Sequence, residues 1–409
     1  MHARSVLTSS AALLLLTACS PNSDTISPAG PSFAATSPGN TKFIVVIADD
    51  ASPAAVAQSH GITPLYVYER ALNGFAGPLT QGQRADLARD ARVRSINTDR
   101  TASLIEPVNG GQFQCCVVAE PIPQLLTWNM IRVGVDASAT AAVDGRDADL
   151  DVDIGIIDTG IDPTHAEFIP LAGGRRFVNG PGDDFSDCFG HGTHVAGIAA
   201  ARDNARGVVG VAPGARLWSL RVFQCGGVAF FSDIIASLDW SIANGMEVVN
   251  MSLSGGGRDD GNCGFTNGDV FHQAVCRTVA AGVTVVVAAG NSAADAAFET
   301  PAAYDEVITV SATDSTDALA SFSNFGADVD LAAPGRRVLS TYIDGQYVRL
   351  SGTSMASPHV AGAAALLIAS SRQKLSPAQV KQALIRNARG TASNDPDGRA
   401  DPIVYVGRF

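Results

Sequence analysis

From Asp151 onward the chain alternates short apolar, β-branched runs with helix-length amphipathic stretches. The runs are Val152–Ile157, Arg216–Phe223, Glu247–Met251, Val283–Ala289 and Val307–Val310, and Phe231–Ala243 and Val270–Ala281 lie among the stretches between them. Apolar strands alternating with helices specify a parallel sheet with helices on its faces. The predicted fold class is therefore α/β with a mainly parallel central sheet. In such sheets reactive groups collect at the carboxyl ends of the strands.

This region is only part of a chain of 409 residues, a length that leaves room for further domains. Hydrophobic residues make up 46% and charged residues 17%, which excludes bulk disorder. The net charge of −12 lacks the basic footprint of a nucleic-acid binder. No apolar run approaches the roughly 18–20 residues of a membrane span.

Residues 1–19 have the pattern of an export signal, with Arg4 before a short apolar stretch, Ala11 to Ala18. Leu16-Thr17-Ala18-Cys19 resembles a bacterial lipobox, whose cysteine is diacylated and anchors the chain. The other reading is plain secretion with Cys19 discarded. Residues 20–40, rich in Ser, Pro, Gly, Thr and Ala, read as a flexible tether. Residues 41–105 follow as a small domain. Lys42–Ala48, Leu65–Arg70, Asn73–Leu79 and Ala91–Ile96 read as strands, and Ser52–His60 and Thr80–Asp90 as helices capped by Ser52 and Thr80. The order β-α-β-β-α-β is a small α+β, ferredoxin-like arrangement. Residues 99–123 show no clear periodicity and are expected to be an exposed linker open to proteolysis, with the processing segment bounded at 106–123.

Three motifs carry chemistry. Asp158 in DTGID directly follows a buried-type strand; alone, such an Asp is most often a turn former. His191 and His194 in HGTHVAG open a helix, but a zinc protease would need Glu between its histidines. Ser354 in SGTSMASPHVAG opens a long apolar helix, where a serine can be simply a cap. Together they form the set that peptide hydrolysis needs. Serine is a weak nucleophile that requires an adjacent base. A neutral His191 can take and return its proton, and Asp158 can fix the imidazole tautomer. Asn291, at the end of the strand VTVVVAAGN, can offer its amide to a developing oxyanion.

DTGID, HGTHVAG, AAGN and GTSMASPHVAG, in this order, resemble the subtilisin-like (subtilase, peptidase S8) serine proteases, most closely the proteinase K branch, over roughly 125–390. The segment YERALNGFAGPLT with its helix and VRSINTD resembles the family's inhibitor I9-type propeptide. The resemblance implies a subtilisin-like three-layer catalytic domain over 124–409, a propeptide that templates folding and inhibits, and the roles nucleophile Ser354, base His191, orienting acid Asp158 and oxyanion donor Asn291. Ser252, Leu253, Ser254 and Gly255 resemble the strand that pairs with extended substrate and walls one side of the P1 pocket. Ala288, Ala289 and Gly290 resemble the opposite wall. Their small side chains imply large apolar P1 residues, although the family usually has Gly where Ser254 stands.

The resemblance also implies a disulfide Cys188–Cys225, with Cys263–Cys276 as the natural second pair. Cys115 and Cys116 are expected to leave with the linker or to pair with each other. It implies a structural Ca²⁺ held by the carbonyls of Pro301 and Ala303 and by Asp330; no cofactor is expected for catalysis. LSPAQVKQALIRNA reads as a surface helix capped by Ser376, and Asp395 to Phe409 as a closing turn and strand. The expectation is an exported, self-processing endopeptidase and a monomer, acting on proteins and peptides, inhibited by its own propeptide, and touching a membrane only through a lipid on Cys19. The rival expectation is a non-catalytic, peptide-binding lipoprotein on a protease fold.

Overall fold

The structure is a computed structural model that describes residues 41–409 apart from 109–117, 120–121, 147, 169 and 226. The expected signal, the lipobox with Cys19, the tether, and Cys115 and Cys116 lie outside the described residues.

The first domain comprises β1 (Lys42–Ile47), α1 (Pro53–Ser59), β2 (Tyr66–Tyr68), β3 (Gly74–Pro78), α2 (Gln81–Leu87) and β4 (Val93–Thr98). Its strands form an antiparallel sheet in the order β2-β3-β1-β4. The helices start where local chemistry dictates. Ser52 Oγ accepts the Ala55 N–H at 3.3 Å with Pro53 in the first turn, and Thr80 and Gln83 form a reciprocal capping box. Strand β1 is apolar on both faces because it serves two cores. Phe43, Val45 and Ile47 pack with Val56, Phe75 and Leu87 under the helices. Ile44 and Val46 point the other way, into a core shared with the larger domain.

The chain continues through β5 (Thr101–Leu104), β6 (Val118–Ala119), α3 (Trp128–Val133), β7 (Leu150–Asp158), β8 (Gly173–Arg176), α4 (His191–Ala200), β9 (Ala215–Arg221), β10 (Val228–Phe230), α5 (Phe231–Ala243), β11 (Val248–Met251), β12 (Leu253–Gly256), α6 (Val270–Ala280), β13 (Thr284–Ala288), β14 (Glu299–Thr300), β15 (Ile308–Thr313), β16 (Leu331–Pro334), β17 (Val338–Tyr342), β18 (Gln346–Leu350), α7 (Thr353–Ser370) and α8 (Pro377–Asn387). Seven strands form one wholly parallel sheet in the order β16-β15-β13-β11-β7-β9-β8. Helices α4 and α7 cover one face, where Val195, Ile198, Met355 and Val360 meet Ile154, Ile156, Val286 and Val310. Helices α5 and α6 cover the other, where Ile234, Ile235, Phe271 and Ala274 meet Ile157, Val249, Val285 and Val287. This is the three-layer α/β architecture expected from the alternation. Helix α7 has no solvent-facing polar stripe, because Thr353 through Leu366 are all buried. Among the described residues no helix is long and apolar enough to cross a membrane.

Two expectations about the ends of the domains need correction. Residues 101–104 are not exposed linker. They form β5, which lies between β10 and β12, antiparallel to both, with Ala102 and Leu104 buried. Strand partners distant in sequence hold this segment, so nothing local announces it. At the other end, 395–409 closes with a turn and isolated bridges such as Ala332↔Ile403 rather than a strand. Pro402 has no N–H to extend a ladder there.

Candidate active site

Asp158 is the last residue of β7, His191 the first of α4 and Ser354 the second of α7; all three are buried. The strand end and the two helix starts therefore deliver three side chains to the carboxyl end of the sheet. His191 Nδ1 stands 2.8 and 3.0 Å from the two carboxylate oxygens of Asp158. A carboxylate only accepts, so Nδ1 carries the proton and Nε2 presents a lone pair. Nε2 is buried and has no hydrogen-bond partner.

The turn into α4 explains two glycines. Gly190 has φ +98°, and a Cβ there would strike the Tyr342 ring. At Gly192 a Cβ would lie 2.1 Å from the Gly160 carbonyl, so only glycine lets the helix start approach the Asp158 turn. The Asp187 carboxylate ties the two motifs together. It accepts the Thr159 and Thr193 hydroxyls at 2.8 and 2.6 Å and the N–H groups of Phe189, Gly190 and Thr193. Sequence reasoning missed Asp187; the signal was that DTG and HGT each carry a Thr whose hydroxyl needs an acceptor. His194 belongs to the support rather than the chemistry. Its Nε2 donates to the Val348 carbonyl at 3.0 Å, and burial lowers its pKa to about 3, so it stays neutral.

Asn291 follows β13, and Thr353 fixes its amide. Asn291 Oδ1 accepts both the Thr353 N–H and the Thr353 hydroxyl at 2.9 Å, which turns Nδ2 outward. Asn324 holds the same turn, accepting from Ser292 and Ala294 N–H and donating to the Ala289 carbonyl. Neither Thr353 nor Asn324 was singled out from the sequence, since each acts only through its neighbour. Ala288 and Ala289 are buried just before Gly290, whose N–H donates to Thr353 Oγ1 at 3.1 Å. In α7, Pro358 has no N–H for the Ser354 carbonyl, and the Ser252 hydroxyl donates to that carbonyl instead, at 3.4 Å.

The chain's own segment fills the cleft. β5 pairs Leu104 with Leu253 and Ser103 with Ser254, and the Ile105 N–H donates to the Ser252 carbonyl at 3.2 Å. Gly255 instead faces β14, paired with Thr300. The Ser254 hydroxyl donates to Glu299. The Ser354 hydroxyl donates to the Ile105 carbonyl at 2.8 Å rather than to His191. Asn291 Nδ2 donates to the Glu106 carbonyl at 2.9 Å.

The first domain is held against α5 by polar contacts, those of Asp99 and Asp233 buried and those of Asp239 nearer the surface. The Asp99 carboxylate accepts the Ser232 N–H and hydroxyl at 3.0 and 2.6 Å, capping α5 from another domain. Tyr66 donates to Asp233 at 2.8 Å, and Asp239 accepts three successive N–H groups, those of Glu69, Arg70 and Ala71. Burial pushes the Asp233 carboxyl up to about 6 and raises that of Asp99.

Disulfides join Cys188 to Cys225 and Cys263 to Cys276. The residues expected to hold calcium do not fit it. Asp330 Oδ1 is 2.8 Å from Lys381 Nζ, its Oδ2 accepts the Thr309 N–H, and the Pro301 carbonyl accepts the Tyr304 N–H. Lys381 also donates to the carbonyls of Asp305 and Val307, so an ammonium already supplies positive charge beside Asp330.

Comparison with known proteins shows the family. The model of the subtilase family matches residues 150–401, and that of peptidase inhibitor I9 matches 42–104. Subtilisin DY of Bacillus licheniformis is 45% identical over 240 residues, 58% of this chain and 83% of that one. Alkaline serine exoprotease A of Vibrio alginolyticus is 37% identical over 351 residues, 83% of this chain and 59% of that one. The crystal structure of a cold-adapted subtilisin-like serine proteinase superposes with a TM-score of 0.56 at 37% identity, covering 64% of this chain and 90% of that one.

Proposed function

Because the chain belongs to the subtilase family, with an inhibitor I9 propeptide domain before its catalytic domain, we propose a specific course for its serine endopeptidase chemistry. Ser354 attacks the substrate carbonyl while His191 Nε2 takes the hydroxyl proton. Asp158 stabilises the imidazolium through Nδ1–H. Asn291 Nδ2 and the Ser354 N–H receive the oxyanion. The protonated His191 then gives its proton to the leaving amine, and water repeats the sequence on the acyl-enzyme. The observations that carry this reading are the buried His191–Asp158 contact at 2.8 Å and the 2.8 Å hydrogen bond from Ser354 Oγ to a backbone carbonyl of the chain's own propeptide strand.

Extended substrate adds as a strand to β12 through Ser252, Leu253 and Ser254, as β5 does. With Ala288, Ala289 and Gly290 as the facing wall, the pocket takes apolar P1 residues from a broad range of proteins. The protein is exported. Lipid on Cys19 anchors the precursor, and propeptide removal frees the catalytic domain, because the anchor lies on the propeptide side of the cut. This last step rests on the LTAC sequence alone. A serine-directed fluorophosphonate tests the chemistry. It labels the mature chain at Ser354 and fails to label Ser354→Ala or His191→Ala; labelling at another serine contradicts the assignment.

A further inference from the structure

We propose that Asp259, Asp260 and His272 form a binding site for one divalent first-row transition-metal ion, with Glu306 orienting the histidine from outside. The residues lie far from Ser354 in role and share no hydrogen bond with it. Asp259 and Asp260 sit on the loop between β12 and α6, and His272 is in the first turn of α6, wholly buried.

His272 Nε2 is 2.9 Å from Glu306 Oε2. The carboxylate accepts, so Nε2 bears a proton, and Nδ1 on the other side of the ring is the atom left for a metal. Nδ1 faces Asp260 Oδ1 at 3.7 Å and Asp259 Oδ1 at 3.9 Å. Both distances are too long for hydrogen bonds, and Nδ1 has no hydrogen-bond partner. A buried ring nitrogen facing two carboxylate oxygens calls for positive charge there, either a second ring proton, which, against burial, Glu306 and Asp259 favour by raising the pKa of His272, or a metal ion that takes that proton's place. Ligands about 2.1 Å from a tetrahedral metal are about 3.4 Å apart, a few tenths of an ångström from what is seen. All three ligand atoms lie within 4.8 Å of one another. A carboxylate on the far nitrogen of a ligating histidine is the arrangement that fixes its tautomer and raises its basicity.

The surroundings hold the donors still. The His272 ring stacks on Tyr304, 3.9 Å between centroids and 1° from parallel, and the Tyr304 hydroxyl is anchored on Asp269. Asp260 accepts the N–H groups of Asn262, Gly264, Thr266 and Asn267, and Asp259 those of Gly261 and Asp305. The Cys263–Cys276 disulfide staples the loop to α6. Those two sulfurs lie close to His272 and Glu306, but a disulfide offers no thiolate. The donor set is thus one imidazole nitrogen and two carboxylates. Calcium prefers all-oxygen sites, whereas zinc and its neighbours accept this mixture.

Calorimetric titration with ZnCl₂ tests the site, using the full chain with Ser354→Ala so that self-digestion does not intrude. We expect one Zn²⁺ per chain and a raised melting temperature. Asp259→Asn and His272→Gln each weaken binding at least about tenfold, and Glu306→Gln by about 10–100-fold. The partly exposed Asp259 carries the test if His272→Gln fails to fold. No stoichiometric uptake overturns the proposal. So does uptake that Asp259→Asn leaves unchanged, which would place the zinc elsewhere.

Discussion

The carbonyl oxygen of Ile105 accepts a hydrogen bond from Ser354 Oγ at 2.8 Å across 249 positions of sequence. The Ile105 side chain is 5% exposed, whereas that of Glu106 is exposed. The bond after Glu106 is a tertiary amide to Pro107, with no N–H. We therefore expect the first cut at Ile105–Glu106, with Asn291 Nδ2 moving from the Glu106 carbonyl that it holds in the precursor to the oxyanion. Early processing products should begin at Glu106 by N-terminal sequencing, and Ile105→Asp, which buries a charge, should slow processing at least about tenfold. A first product beginning beyond Val108 would contradict this.

Asn291 is aimed by Thr353, which occupies its Oδ1 with two donors. Asn291→Ala should lower kcat about 10²–10³-fold with little change in KM, a scale established on a subtilisin. Thr353→Val should lower kcat less, since it frees the amide to turn without removing it. Steady-state kinetics on a peptide substrate checks both. An Asn291→Ala enzyme with wild-type kcat would remove Asn291 from the oxyanion site.

The parts of this architecture legible in the sequence are those with local causes. Ser52-Pro53, Thr80 with Gln83, and Ser376-Pro377 with Gln379 mark helix starts because caps act within one turn. The apolar runs mark the parallel strands, and Asp158, His191 and Ser354 stand at strand and helix ends. What was not legible depends on partners brought together by folding. Thr101–Leu104 is a strand only because β10 and β12 flank it. Lys381 looks like an ordinary surface-helix lysine until α8 carries it to Asp330. Asp187 reads as one loop carboxylate among several until Thr159 and Thr193 converge on it.

Propeptide release should depend on pH through Asp99 and Asp233. Both are buried at the contact with α5, and burial raises both carboxyls, that of Asp233 to about 6. Once the domains separate, water returns them toward the ordinary value of about 4. The complex thus binds protons that the separated parts do not. Its stability is full below about pH 4 and declines as pH rises through about 6. Release after the first cut should accelerate across that window, and Asp233→Asn should flatten the dependence. Release that slows with rising pH would refute the mechanism.

Lys381 should make the Asp330 region independent of calcium. Chelation with EGTA should not change the contribution of this region to thermal stability. Lys381→Met should destabilise the chain by up to about 3 kcal/mol, because it leaves a mostly buried carboxylate unpaired. Calorimetric melts of both proteins, with and without Ca²⁺, decide the matter. A wild type that binds Ca²⁺ at Asp330 would overturn this reading.

The most direct test of the account compares purified wild type and Ser354→Ala by intact mass and casein hydrolysis. Wild type should lose its residues up to Ile105 and digest casein, while Ser354→Ala stays uncut at Ile105–Glu106 and inert. If Ser354→Ala is cut at the same bond as efficiently as wild type, self-processing by Ser354 is wrong.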